Sequence, residues 1–529
     1  MEPTVSRYKW LYCKLPLSPI NEKYILSTSG FLRALKWSVG AELISKALQP
    51  LVFVILARLL TPGDYGIMAA AVMVISFTQV FWESSMAKAL IQWQGDVDEA
   101  ANAGFWINLG MALFFALLLL VFADWLAEVL FQEAQVADVL RVMTVQLLLV
   151  AITSIHTALL QKEMKFNLLF WVKLSSVGVP AIISIPLAWH GYSYWALVAC
   201  TLSGQATQLI VLWRINRWRP RFTFDTTIAR HLVKFGGWVG VTGLFYWFYV
   251  WVDSFFVANY LGTTQMGLYR TGNHLVSMGY ALLFAPLLPV IYSHFSSLKN
   301  GSDEIEQIFP RIIRAMTLVA IPIAFMIGAL ADPISVFIFG KNWKGVEFVL
   351  MVMALVHGYT WVVGANGEVY RAIGKPFYET IVDSILLVFH VLGYLIAIRH
   401  GFETFVWTRL GLSIFALILH IVLARLVIKI SIAYFLKVIV LATFIGSVAP
   451  LVNWLARLWF NELIVQGVVT LLLSVVLMGV LLFLFERKGV IKDVLNLMHN
   501  RSSRCGPSTD LNKDHTHNPQ QQNDLTEPA

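Results

Sequence analysis

The chain has 529 residues, 58% of them hydrophobic and only 13% charged. A soluble domain carries about 25% charged residues, so this chain lacks the polar surface to face water on all sides, and a soluble globular class is excluded. The basic balance, 39 Lys and Arg against 31 Asp and Glu, would suggest nucleic acid in a soluble protein; in a membrane protein it marks the cytoplasmic loops, and no nucleic-acid partner is expected.

Residues 1–31 are polar and mixed, without an apolar stretch leading to a small-residue cleavage site. The first hydrophobic helix is therefore expected to direct insertion, leaving 1–31 as a cytoplasmic segment. Crossing the hydrocarbon core takes about twenty apolar residues, and about fourteen stretches qualify. They lie near 35–58, 67–90, 101–122, 139–160, 167–188, 193–213, 236–259, 270–293, 312–331, 346–365, 378–398, 402–424, 433–455 and 465–486. The expected fold class is an all-α membrane protein with an N-lobe over 32–218 (helices 1–6) and a C-lobe over 219–430 (helices 7–12). Helices 13 and 14 follow in 431–488. Residues 489–529, rich in Asn, Gln, Ser and Asp toward their end, read as a disordered cytoplasmic tail.

Loop charge sets the orientation. Arg214, Arg217, Arg219, Arg221, Arg230 and Lys234 crowd the link after helix 6, Lys162 and Lys165 follow helix 4, and Arg425 and Lys429 follow helix 12. The opposite side holds the acidic link Asp124, Glu128, Glu133 and Asp138. The positive-inside rule then places both termini in the cytoplasm of a multi-pass inner-membrane protein.

The two halves repeat. Ala57-Arg-Leu-Leu-Thr-Pro-Gly-Asp-Tyr-Gly66 aligns with Ala258-Asn-Tyr-Leu-Gly-Thr-Thr-Gln-Met-Gly267. Ala123-Asp124 followed by Phe131 matches Ala331-Asp332 followed by Phe339, and His190-Gly191-Tyr192 matches His400-Gly401-Phe402. All three offsets are about 200–210 residues, so helices 1–6 correspond to helices 7–12 as a parallel repeat. Transporters use such repeats to form a cleft that opens to either side as the lobes rock.

Charges at mid-bilayer cost about 2.5–3.5 kcal/mol each on insertion scales and tend to face a cavity or a partner. Glu42, Ser45, Lys46 and Gln49 form one face of helix 1, and Ser76, Gln79 and Glu83 one face of helix 2. Helix 7 offers Tyr246, Tyr249 and Asp253; helix 8 offers Arg270, Asn273, His274 and Ser277. These helices are the first two of each repeat, which points to a shared polar cleft. Lys46, Gln49, Gln79, Arg270, Asn273 and His274 are the substrate-binding candidates. Glu42, Glu83 and Asp253 are candidates for ion coupling or for charge pairs, Glu42 with Lys46 and Asp253 with Arg270. Tyr246 and Tyr249 are candidates for sugar stacking or a lipid-interface belt.

Neither enzyme chemistry nor a cofactor is expected. The chain contains no G-x-x-x-x-G-K-[ST] phosphate loop. Asp96-Val97-Asp98 reads as a helix start with Asp98 as cap rather than a metal-binding carboxylate pair. Cys13, Cys200 and Cys505 are too scattered for a metal site or disulfide framework, and His515 and His517 read as solvated tail residues. A membrane glycosyltransferase or polymerase would need a longer extracytoplasmic loop than these spans leave.

Lys36-Trp-Ser-Val-Gly40, Leu56-Ala-Arg-Leu-Leu-Thr-Pro-Gly-Asp-Tyr-Gly66 and Ala89-Leu-Ile-Gln92 together resemble the start of Wzx-type polysaccharide exporters, closest to the colanic acid and teichuronic acid branch. Gln161-Lys-Glu-Met-Lys-Phe-Asn167, Lys234-Phe-Gly-Gly-Trp238, Phe339-Gly-Lys-Asn-Trp343 and Gly374-Lys-Pro376 extend the resemblance over about residues 32–490. It implies a MATE-like fold of the multidrug/oligosaccharidyl-lipid/polysaccharide exporter superfamily. The activity it implies is flipping an undecaprenyl-diphosphate-linked oligosaccharide across the bacterial inner membrane for exopolysaccharide or lipopolysaccharide biosynthesis. Lipid-linked oligosaccharide, membrane lipids and polysaccharide polymerase or export machinery would be the partners. The alternative on the same fold is an ion-coupled multidrug or small-solute antiporter. The family's acid late in helix 2 is present as Glu83, but Ser84-Ser85 replaces the expected glycine; Asp253 matches the acid or amide late in helix 7.

Overall fold

A computed structural model describes residues 48–296 and 302–486. The expected roles of Glu42, Ser45 and Lys46, of the segment 1–31 and of the tail fall outside the described residues. The fold begins with α1 (Leu48–Leu59), then α2 (Pro62–Val80), α3 (Glu83–Gln92), α4 (Val97–Leu126, extended by a π-type turn at Ala127–Phe131), α5 (Gln135–Lys162), α6 (Phe166–Trp189) and α7 (Trp195–Ile215). The second half has α8 (Thr226–Leu261), α9 (Thr263–Phe284), α10 (Leu287–Ser296), α11 (Ser302–Ala329), α12 (Ala331–Ile334, continuing into a π-type turn at Ser335–Phe339), α13 (Val346–Thr360), α14 (Asn366–Ala372), α15 (Pro376–Ala397) and α16 (Phe402–Val427). The chain closes on α17 (Ile432–Gly446), α18 (Val448–Trp459) and α19 (Leu463–Glu486).

Among the described residues, eleven helices are long and apolar enough to cross a membrane, or twelve if α9 and α10, bent by 44°, count as one. This differs from the fourteen expected. The first expected span is described only from residue 48. The tenth, 346–365, ends early because i→i+3 turns at Val362, Val363 and Gly364 replace the α-helical ladder. The expected span 67–90 is also interrupted, at Phe81–Trp82, between α2 and α3. Asp98 is not the cap of α4: Asp96 is, accepting from Asp98 N at 2.8 Å and Glu99 N at 3.1 Å.

The caps follow from local chemistry. Thr61 and Asp64 form a reciprocal capping box at the start of α2, with Pro62 in the first turn, where its missing N–H costs nothing. Asp225 caps α8 through Ile228 N and Thr227 N, and these two donors hold its carboxyl below the ordinary carboxylate pKa.

The repeat motifs place positive-φ residues at equivalent positions. Both π-type turns end in a residue of positive φ, Gln132 (53°) and Gly340 (86°), and Gly191 (82°) and Gly401 (95°) occupy equivalent turns before α7 and α16. Packing is paired as well: α4 with α5, α2 with α5 and α6 with α7 correspond to α11 with α13, α9 with α13 and α15 with α16. Contacts between the halves run through α2 with α9 and through α8 with α2, α3 and α4. At 36 residues, about 54 Å, α8 outreaches a hydrocarbon core of about 30 Å. Its first turns (Ile228, Ala229, Leu232) pack with Leu90, Ala101 and Ile155 of the first half.

The last helices lean on α11. Leu472, Val476 and Leu484 of α19 are exposed apolar side chains that require hydrocarbon as their solvent. At its end α19 buries Glu486 (2% exposed), whose carboxylate accepts from Nε of Arg314 on α11 at 2.9 Å and from its Nη2. Glu486→Ala is expected to lower stability by roughly 2–4 kcal/mol, because a half-buried guanidinium loses its counter-charge. Thermal unfolding in detergent, compared with the exposed control Asp138→Ala, measures this.

Candidate functional site

The polar residues of α8 and α9 form a connected network. Asp253, 2% exposed on α8, accepts from the Tyr269 hydroxyl at 2.8 Å and from Ser254 N at 2.6 Å. Arg409 Nη1 on α16 lies 3.7 Å from Asp253 Oδ2 and donates to the Tyr394 hydroxyl on α15. The charge pairing expected between Asp253 and Arg270 is not the arrangement seen: the cation at contact distance is Arg409. Asp253 and Arg270 lie on different helices, so the rotation of α8 against its neighbours, not sequence proximity, selects the partner.

Arg270, half-buried one helix away, donates to Val250 O at 2.9 Å and stacks over Trp251, 3.8 Å from the ring centroid. The face of the indole attracts a cation, and the planar guanidinium suits such stacking. Ser254 joins the two parts, donating to Asp253 Oδ1 at 3.1 Å and receiving Arg270 Nη1 at 3.4 Å. Arg270 stands seven residues beyond the first residue of α9, about 10 Å along its axis. One turn further, exposed His274 meets Phe53 of α1 with ring centroids 5.3 Å apart. Gln49, exposed, lies one turn before Phe53. Asn273 Oδ1 is 2.9 Å from His357 Nε2 on α13.

On the facing side, Ser76 of α2 accepts from Trp247 Nε1 of α8 at 3.0 Å, and Phe77 packs edge-on to the same indole. Gln79 is half-buried in the next turn, and Glu83 is half-buried at the first position of α3, beyond the break. Tyr246 and Tyr249 are 71% and 42% exposed. Tyr249 approaches His390 of α15 with ring centroids 6.2 Å apart, which orients it toward the Asp253 network. The structure thus brings α1, α2, α8 and α9 together. It separates their polar groups into a packed network around Asp253 and a more open group of Gln49, Arg270 and His274.

Sequence reasoning passed over Tyr269, Tyr394 and Arg409. Arg409 carried a usable signal, a cation well inside the apolar stretch 402–424, whose other charge, Glu403, stands at its start. The two tyrosines carried none, since an aromatic in a membrane helix is ordinary. Among the described residues no group of three or more His, Cys, Asp or Glu is placed to hold a metal ion.

Asp253→Ala should destabilise the protein by about 3 kcal/mol, the cost of leaving the half-buried Arg409 uncompensated. Tyr269→Phe, which removes one hydrogen bond, should cost about 1 kcal/mol. A double-mutant cycle of Asp253→Ala with Arg409→Leu, read by thermal unfolding, should recover much of the loss; additive losses would show that the two do not act as a pair.

A family model described as polysaccharide biosynthesis protein matches residues 55–347, more than half of the chain. The succinoglycan biosynthesis transport protein ExoT of Rhizobium meliloti (strain 1021) is 27% identical over 62% of this chain and 66% of its own length, just under two thirds. The teichuronic acid biosynthesis protein TuaB of Bacillus subtilis (strain 168) is 22% identical over 87% of this chain and 95% of its own. Among solved structures, lipid II flippase MurJ in an inward closed conformation superposes with a TM-score of 0.69 at 15% identity, covering 86% of this chain and 99% of that one. An inward-facing multidrug resistance MATE family transporter of the MOP superfamily gives 0.58 at 12% identity over 73% and 94%. These likenesses establish the fold, which is that of MurJ and of MATE transporters, and the family match establishes the kinship: this chain belongs to the polysaccharide biosynthesis protein family.

Proposed function

We propose that the protein flips an undecaprenyl-diphosphate-linked oligosaccharide across the inner membrane by alternating access, with Arg270 and Lys46 as the cations that hold the diphosphate. The observation that carries this reading is Arg270, held on the face of Trp251 where α8 and α9 meet α1 and α2, in a chain of a polysaccharide biosynthesis family. A diphosphate needs a cation within the bilayer, and a guanidinium offers paired donors to phosphate oxygens. The sugars occupy the wet group around Gln49, Gln79, Asn273 and His274, with Tyr246 and Tyr249 as stacking surfaces, while the polyprenyl tail stays in lipid between the lobes. Fourteen helices cross, six in each lobe and two after them, with both termini cytoplasmic. The lipid-linked product passes to polymerase and export machinery on the far side. The antiporter alternative calls for an acidic cleft, whereas Asp253 is neutralised by Arg409.

The test is complementation in a strain lacking its own exporter. Arg270→Gln and Lys46→Gln protein, inserted at normal levels, should lower polysaccharide export by about tenfold or more, equivalent to about 1.4 kcal/mol, while Arg270→Lys retains most of it. Normal export by the double Gln variant refutes the cationic role. Reporter fusions at residues 263 and 500 should report opposite sides of the membrane; agreement between them removes the proposed topology.

A further inference from the structure

The two halves meet most closely where α2 and α9 begin. A Cβ added to Gly66 would lie 1.8 Å from the Thr263 carbonyl oxygen, and one added to Gly267 would lie 1.8 Å from the Pro62 carbonyl oxygen. In the repeat alignment Gly66 corresponds to Gly267 and Pro62 to Thr263, so the contact is reciprocal and sits on the pseudo-twofold axis. Only glycine lets two helix backbones approach this far.

Around this point each half donates to the other's π-type turn. Arg58 Nη1, at the end of α1, reaches Phe337 O at 2.7 Å. Asn259 Nδ2, at the equivalent place on α8, reaches Leu130 O at 2.9 Å and Val129 O at 3.3 Å. Arg58 aligns with Asn259, and Val129 with Phe337. The acceptors are carbonyls at a helix C-terminus, which lack an intrahelical donor and carry the negative end of the helix dipole. One further tie has no counterpart: Trp343 Nε1, buried, donates to Ala57 O at 2.8 Å and Leu60 O at 3.0 Å, closing the end of α1 from the second half.

We infer that Arg58 and Asn259 form a paired latch that holds this end of the transport path shut, with Gly66 and Gly267 as the seat on which it closes. The seam lies on the side opposite the Arg-rich 214–234 link, which the proposed topology makes extracytoplasmic. The inference rests on the alternating-access reading above and adds the contacts that must break for release to that side. The latch is chemically uneven: one arm is a charged guanidinium with a single acceptor, the other a neutral amide with two. The acceptors are main-chain atoms, so the side chains at 58 and 259 set the strength of the two arms, beside the ties that Trp343 makes to α1 and Gln132 Nε2 makes to Asn259 O at 3.4 Å.

The test uses the full chain in a background without its three native cysteines. A Cβ at Gly63 would lie 3.6 Å from Thr264 Oγ1, so the pair Gly63→Cys and Thr264→Cys can form a disulfide across the seam. Oxidation should cross-link the pair and stop export, and reductant should restore it. Separately, Thr263→Cys, at a side chain buried in the seam, should react with a membrane-impermeant maleimide about tenfold faster once Arg58→Ala and Asn259→Ala are added, the low end of what losing three net hydrogen bonds gives. Gly66→Ala should raise the rate similarly; Arg58, at the surface, keeps the test valid if that variant fails to fold. A pair that does not cross-link, cross-linked protein that still exports, or labelling unchanged by the two Ala substitutions overturns the latch. The labelling contrast needs no substrate, so loss of the flippase reading through failed complementation would be seen separately.

Discussion

Every backbone N–H and C=O inside hydrocarbon must find its partner within the protein. That constraint makes the spans helical, and it also decides how the helices are joined. Wherever a helix stops, its last carbonyls need donors from elsewhere. Lys162 Nζ supplies them to Leu90, at 3.0 Å, and to Ile91 and Trp93 at the end of α3. Trp343 does so for α1, and Arg58 and Asn259 for the two π-type turns. Helix ends are therefore the places where distant parts of the sequence are tied together.

The same logic governs charge. Asp253 and Arg409 share one neighbourhood with three hydroxyls (Tyr269, Tyr394, Ser254), which satisfy the carboxylate and engage Nη1 of the guanidinium, while Arg409 Nε has no hydrogen-bond partner among the described residues. Such a network is costly to break and specifies how α8, α9, α15 and α16 sit against one another. Arg270, joined to it through Ser254 but stacked on Trp251, is held in place without a counter-carboxylate within ion-pair distance among the described residues. In the proposed reading, that rigid support is what holds the guanidinium for a phosphate.

Much of the fold was legible because lipid imposes a simple code. Runs of about twenty apolar residues announce helices, and the paired Gly-rich and His-Gly motifs announced a duplication whose partners share a positive φ at Gln132 and Gly340 and at Gly191 and Gly401. The breaks were less legible. Hydropathy is continuous across Phe81–Trp82 and across the bend between α9 and α10, so a window average reads one helix where the backbone makes two. The polar residues were visible as helical faces: Ser76, Asp253, Arg270, Asn273 and His274 were singled out by spacing, and Ser76 meets α8 and His274 meets α1, whereas Asp253 faces α16 and Asn273 faces α13.

The sequence by itself determined the membrane class, the approximate helices, the repeat and the polar faces, because each depends on composition and on periodicity within a single helix. Only the tertiary structure decided that Asp253 pairs with Arg409 rather than with Arg270. It alone showed that Gly66 and Gly267, aligned by the repeat, touch across the axis they imply. The physical reason is the same in both cases. Spacing shows which side chains share a face, but which face meets which neighbour depends on how far each helix is rotated and how closely two backbones can approach, and those are set by packing among helices far apart in the chain.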